Sequence, residues 1–176
     1  MSRRFLTWGA IAIAAVAAAT IGVYFGQRSL STNARGADGG ALLAISLPDP
    51  AGKEEPLAQW RGKVLIVNFW ATWCAPCREE MPTFVRIQRE QGAKGLQFVG
   101  IAVDQPDKVR EFAQEIGLNY PALIGGYGAM ELSKTLGNSV MALPFTVILD
   151  RTGRVVHTQL GVLREEKLHS IVGDLL

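Results

Sequence analysis

The run VLIVNFWATWCAPCREEMP, residues 64–82, joins a strand pattern to a helix pattern and holds both cysteines of the chain, Cys74 and Cys77. Val64 to Trp70 is an almost unbroken β-prone run, the pattern of a strand covered on both faces in a parallel or mixed sheet. Beyond the cysteines the period changes. Met81, Phe84, Val85, Ile87 and Gln88 follow an i, i+3, i+4 stripe, and Gly92 is expected to close the helix. Pro82, in the second turn, lacks an N–H and crowds the Arg78 carbonyl, which predicts a kink.

Cys74 therefore falls in the strand-to-helix turn and Cys77 in the first helical turn. Free amide N–H groups and the positive end of the helix dipole stabilise a thiolate there, so Cys74 is expected to be acidic and to attack disulfides readily. Cys77 faces the same side and is expected to be more covered, placed to resolve a mixed disulfide formed on Cys74. Pro76 fixes φ inside the four-residue loop, where a helix tolerates the loss of one amide donor.

Other chemistries fit less well. Zinc usually takes four ligands, and the two histidines, His157 and His169, stand on later elements without matching spacing. A structural bridge across so short a loop restrains little chain entropy. Covalent haem attachment requires histidine after Cys77, where Arg78 stands. Thiol redox chemistry is the leading reading, with a soft-metal chaperone and a thiol peroxidase as alternatives.

Working outward, FVGIAV from Phe98 to Val103 reads as a second buried strand. A helix from about Lys108 to Ile116 follows, ended by Gly117. Tyr120 to Ile124 is a short strand, Ala129 to Leu136 a short helix, and Phe145 to Leu149 a strand. Asp150 to Gly153 turns into Val155 to Leu160, and Arg164 to Leu176 is an amphipathic last helix. Upstream, ISLPDPAGKEEPL from Ile45 predicts a small hairpin. Alternating units followed by a hairpin imply an α/β fold, a central mixed sheet with helices on both faces. Phe112, Ile116, Leu168 and Ile171 are expected in the core. Gly125-Gly126-Tyr127-Gly128 lacks the Lys-Ser/Thr of a phosphate cradle and reads as a turn before a helix.

The chain has 176 residues and a net charge of +2, too mild and too scattered to indicate nucleic acid. No charged residue stands between Arg4 and Arg28. That run exceeds the roughly 20 apolar residues needed to cross a bilayer. Trp8 and Tyr24 lie near its ends, about 24 Å apart if helical. Residues 1–27 are read as an uncleaved membrane anchor in preference to a cleavable signal segment, for which Ala17 to Ala19 would supply the site. Residues 28–41, which contain RGADGG, read as a flexible tether, and residues 42–176 as the folded domain.

VNFWATWCAPCREEMP, followed by GIAVD and later by LPFTVILDRTGRV, resembles the thioredoxin superfamily, and within it the membrane-anchored, extracytoplasmic TlpA/ResA-like branch. The resemblance covers Leu42 to Leu176. It implies a thioredoxin fold with an N-terminal β-hairpin and a short insertion over Tyr120 to Leu136. Cys74 would be the attacking thiol, Cys77 the resolving one, and Trp73 part of the surface that meets substrate. Leu143-Pro144 would carry a cis-proline opposite the cysteines, with Leu143 offering its backbone to a bound strand. Many thioredoxins have a buried aspartate where this chain has Asn68, which cannot exchange a proton. Glu80 matches a glutamate of the ResA-like pattern that tunes the thiols and moves protons, whereas Glu79 reads as an ordinary first-turn acid.

The resemblance further implies a protein disulfide reductase outside the cytoplasmic membrane, acting in cytochrome c maturation or copper-site assembly. No cofactor beyond the cysteine pair is required. Partners would be protein disulfides and a membrane electron donor of the DsbD or CcdA type. A chain with only its working pair cannot misbridge in an oxidising compartment, and this chemistry suits a monomer.

Overall fold

The structure is a computed structural model that describes residues 39–176. The apolar segment 1–27 and residues 28–38 of the tether lie outside the described residues. Among the described residues no helix is long and apolar enough to cross a membrane.

The run that opened the sequence forms strand β3, Val64–Trp70, and helix α2, Ala75–Gln91, with every residue of the strand buried. Before them, α1 spans Gly40–Leu43, and β1, Ser46–Pro48, pairs antiparallel with β2, Glu54–Pro56, as the expected hairpin. After them come β4, Leu96–Ala102, α3, Pro106–Glu115, β5, Ala122–Ile124, and α4, Gly126–Thr135. Strands β6, Phe145–Leu149, and β7, Val155–Leu160, and helix α5, Glu165–Gly173, complete the chain.

The five longer-range strands form one mixed sheet in the order β5-β4-β3-β6-β7. β3, β4 and β5 run parallel, as strand-helix-strand crossovers require, and β6 and β7 join antiparallel. Alternation of side chains divides β3 between two cores. Val64, Ile66 and Trp70 pack with α2, α3 and α5, while Leu65, Val67 and Phe69 pack with α1, α4 and the short 3-10 turn at Leu57–Trp60. Phe84 of α2 stacks on Phe98 of β4 with ring centres 5.0 Å apart, and each is fully buried. Burying such a ring contributes roughly 2–3 kcal/mol. Phe112 and Leu168 are buried in the same core, with Ile116 and Ile171 packed partly buried against it.

Three boundaries differ from the sequence reading. Gly39 to Ala41, read as tether, belong to the folded domain: Gly40 and Ala41 open α1, the Gly39 amide donates to the Gly153 carbonyl, and a Cβ on Gly39 would meet Leu149 at 2.4 Å. Helix α3 begins at Pro106, whose fixed φ suits a first turn. Helix α4 begins at Gly126, so the glycines read as a preceding turn open the helix itself. Gly92 caps α2, as the sequence reading expects, and the chain turns left-handed only at Gly95, φ 100°, after one 3-10 turn.

A Cβ on Gly95 would also meet the Arg151 guanidinium at 2.7 Å, which donates to the Lys94 carbonyl. Gly95→Ala is expected to cost roughly 1–2 kcal/mol, read as a lower urea midpoint at unchanged slope.

Candidate active site

The site is built where β3 ends and α2 begins. Cys74 is the N-cap of α2, with extended backbone, and its sulfur accepts a hydrogen bond from the Cys77 amide at 3.3 Å. Ala75 and Pro76 occupy the first helical positions, so the proline sits where its missing donor costs nothing. Cys74 and Cys77 are joined by a disulfide with Cα atoms 5.3 Å apart. Cys74 is 6% exposed and Cys77 is not exposed at all, the order expected of an attacking and a resolving sulfur.

The turn before the cysteines is held by a residue to which the sequence reading gave no role at the site. Asp104, just past β4, accepts from the Thr72 amide at 3.1 Å and from the Thr72 hydroxyl. The Val103 amide donates to Trp70, and the Cys74 amide to Ala71. These bonds tie the CxxC turn to the ends of two buried strands. No spacing in the sequence pairs Thr72 with Asp104, because the parallel register of β3 and β4 creates the contact.

Glu80 lies one turn beyond Cys77 and is 4% exposed. One carboxylate oxygen accepts from the Asn68 side-chain amide and the other from the Leu163 backbone amide, both at 2.8 Å. Asn68 also donates to the Thr146 hydroxyl at 3.0 Å. Burial pushes the Glu80 pKa up to about 7, opposed by the Leu163 and Asn68 donors. Asn68, at the position where a proton-exchanging aspartate was noted as missing, thus holds a buried carboxylate supplied by α2. The contribution of Leu163 lies 83 residues away in the chain and had no signal in the sequence.

The Leu143-Pro144 peptide is cis. The Pro144 carbonyl accepts from Gly161, whereas the Leu143 backbone has no hydrogen-bond partner among the described residues. Trp73, 68% exposed, shares an open groove with Cys74 and Leu143. The groove's far wall is Tyr127 and Met130 of α4 together with Met141. Met141 adopts φ 53°, unusual for a side chain of this size, in a loop held by paired bonds between Asn138 and Ala142. The structure thus brings Trp73, Cys74 and Leu143 to one groove, sets Cys77 and Glu80 behind them, and adds an apolar wall that the sequence reading missed.

The comparisons agree with this geometry. The Redoxin family pattern matches residues 37–175. A thiol-disulfide oxidoreductase ResA of Bacillus thuringiensis subsp. konkukian is 33% identical over 121 residues, 68% of this chain and 68% of that protein. A ResA of Halalkalibacterium halodurans is 24% identical over 174 residues, 98% of this chain and 96% of that protein. A solved thiol:disulfide interchange protein of the thioredoxin family from Chlorobium tepidum TLS matches with TM-score 0.70 and 28% identity, over 82% of this chain and 97% of that one. The fold is therefore the thioredoxin fold, with a Cys74–Cys77 disulfide at the head of α2. The chain belongs to the Redoxin family and is a thiol-disulfide oxidoreductase.

Proposed function

We propose that this oxidoreductase is anchored by its N-terminal segment and works outside the cytoplasmic membrane, reducing disulfides in other proteins. The observation that carries the reading is the presence in one chain of the exchange site and of a run without charge from Phe5 to Gln27. The likeness to the Halalkalibacterium halodurans ResA extends through that segment, which supports it. The organisation that follows from this is an anchor over 1–27, a tether over 28–41, and the thioredoxin-like domain over 42–176.

Cys74 attacks the substrate disulfide, with the Cys77 amide and the helix dipole stabilising its thiolate. Trp73, Leu143 and Pro144 receive the substrate chain, which pairs with the free Leu143 backbone. Cys77 then gives its proton to Glu80 and attacks the Cys74 sulfur of the mixed disulfide. The S–S bond to the substrate breaks, and the substrate leaves reduced. Electrons return from a membrane donor of the DsbD or CcdA type. Disulfides of apocytochrome c or of copper-site assembly factors are the substrates that the family resemblance favours.

Reduction is favoured over oxidation because β5 and β6 are joined through one ten-residue helix, without the large helical insertion of DsbA-type oxidants. The equilibrium potential of the Cys74–Cys77 pair against glutathione tests this. A value at or below about −220 mV is expected, and one near the −120 mV of a strong oxidant would overturn the reading.

A further inference from the structure

Glu80 poses a problem of access. A substrate joined to Cys74 covers the front of the site, and Cys77 and Glu80 are both buried behind it. The proton that Cys77 releases therefore needs another way out.

One row of residues crosses the sheet on the face that α2 covers. Thr146, Asn68, Gly100 and Ala122 are register partners on β6, β3, β4 and β5. At one end of this row Asn68 holds the Glu80 carboxylate. Toward the other end the side chains shrink to nothing at Gly100 and to a methyl at Ala122, on the edge strand. The Trp70 indole fills the room above Gly100. A Cβ on Gly100 would come 2.7 Å from the Trp70 indole nitrogen and 3.6 Å from the Tyr120 ring.

Three buried polar atoms around the row, Asn68 Oδ1, Trp70 Nε1 and the Tyr120 hydroxyl, have no hydrogen-bond partner among the described residues. Such clustering is rare in a packed core, where an unpaired polar group costs about 1–3 kcal/mol. One acceptor, one donor and one hydroxyl able to act as either form the polar partners that a buried water requires. Tyr120 is 6% exposed, stacks near Phe98, and lines a second groove with Asp49, Pro50 and Arg110. That groove shares no residue with the one that contains Cys74.

We propose that water bonded to Asn68 Oδ1, the Trp70 indole N–H and the Tyr120 hydroxyl links Glu80 toward the groove between the hairpin loop and α3, giving the Cys77 proton a rear exit. Tyr120 is a positioning residue in this scheme: its buried hydroxyl orients the inner water beneath the groove that the residue lines. The step balances without a further reactant. Cys77 loses a proton to Glu80 and forms its bond to Cys74, the substrate sulfur leaves with the electron pair, and Glu80 returns its proton to solvent by the row.

The groups that face this route are few. Cys77 lies on the near side of Glu80, the Asn68, Thr146 and Leu163 partners do not titrate, and Asp49 and Arg110 flank the mouth. Arg110 is already bonded to the Pro50 carbonyl and to Asp107, and Asp49 to the Ala51 and Lys53 amides. The Glu80 charge is felt at Tyr120, raising its pKa together with the larger effect of burial.

The inference rests on Glu80 as acceptor of the Cys77 proton, and the experiment separates the two ideas. The reduced full-length chain is mixed with an aromatic disulfide whose thiol product absorbs visible light. A first phase reports attack by Cys74 and a second reports resolution by Cys77. Tyr120→Phe, which keeps the ring, is expected to slow the second phase about tenfold, below the ~10²–10⁴ typical of an acid or base touching the reacting atom. The first phase and the equilibrium potential stay unchanged, and the loss disappears in a Glu80→Gln background. Ala122→Val, which adds bulk to the row and keeps the Tyr120 hydroxyl, is expected to slow the same phase. A second phase at wild-type rate in both variants, or an equal loss with and without Glu80, overturns the rear exit. If Glu80→Gln itself leaves the second phase and its pH profile unchanged, the acceptor role of Glu80 fails, and the exit fails with it.

Discussion

Cys74→Ser is expected to abolish disulfide exchange, a loss on the order of 10³-fold or more, because the attacking sulfur itself is removed. Cys77→Ser is expected to fail differently. The amide that donates to the Cys74 sulfur at 3.3 Å belongs to the backbone of residue 77, so serine preserves it together with the helix dipole. Cys74 therefore still attacks, and the reaction stops at the mixed disulfide. With an aromatic disulfide, the wild type releases two thiol equivalents, Cys77→Ser one, and Cys74→Ser none above background. Mass spectrometry of the Cys77→Ser product should find one substrate half joined at Cys74. The opposite pattern, an inert Cys77→Ser and an active Cys74→Ser, would reverse the assigned roles. It would also contradict the exposure difference between the two sulfurs.

That difference was legible in the sequence because it depends on local geometry. A buried strand from Val64 to Trp70 followed by a helix with Pro76 near its start leaves one place for Cys74, and the structure puts it at the N-cap. The strands Phe145–Leu149 and Val155–Leu160 were equally legible, since apolar runs meet at the turn residues Asp150 to Gly153. Contacts made by register were not. Nothing in the chain order relates Thr72 to Asp104, or Glu80 to the Leu163 amide, until β3, β4 and the loop after β7 are laid side by side. The start of α4 misled for a different reason. Gly126 and Gly128 lower helix propensity, but Ala129 and Met130 bury the helix against the domain, and tertiary packing outweighs propensity. Asn68 is the sharpest case. Read singly it marked a missing acid, and only its bond to Glu80 identifies it as a support for an acid supplied by the neighbouring helix.

Glu80→Gln is expected to change how stability depends on pH, and the sign follows from burial. The Glu80 carboxyl holds its proton more tightly in the folded protein, with a pKa of about 7, than in the unfolded chain, where the ordinary value is 4.5. Ionisation therefore works against folding. The contribution of this group is whole below pH 4.5 and declines as pH rises through about 7, by on the order of 3 kcal/mol, before levelling. Surface pairs such as Arg86 with Glu165 respond in the opposite sense, losing their carboxylate charge in acid, but they are present in both proteins and cancel. Glutamine offers a single acceptor oxygen to the Asn68 and Leu163 donors, so the variant starts with an offset of about 1–3 kcal/mol from one donor left unpaired. That offset does not vary with pH, whereas the carboxyl contribution does. Urea unfolding of the oxidised protein from pH 4 to 9, compared between wild type and Glu80→Gln, isolates the slope. The difference in favour of wild type should shrink or reverse as pH rises from 4.5 to about 7 and then stay level. Parallel curves would mean that Glu80 is solvated well enough to ionise at its ordinary value, and a carboxyl so solvated could not serve as the buried acceptor behind Cys77.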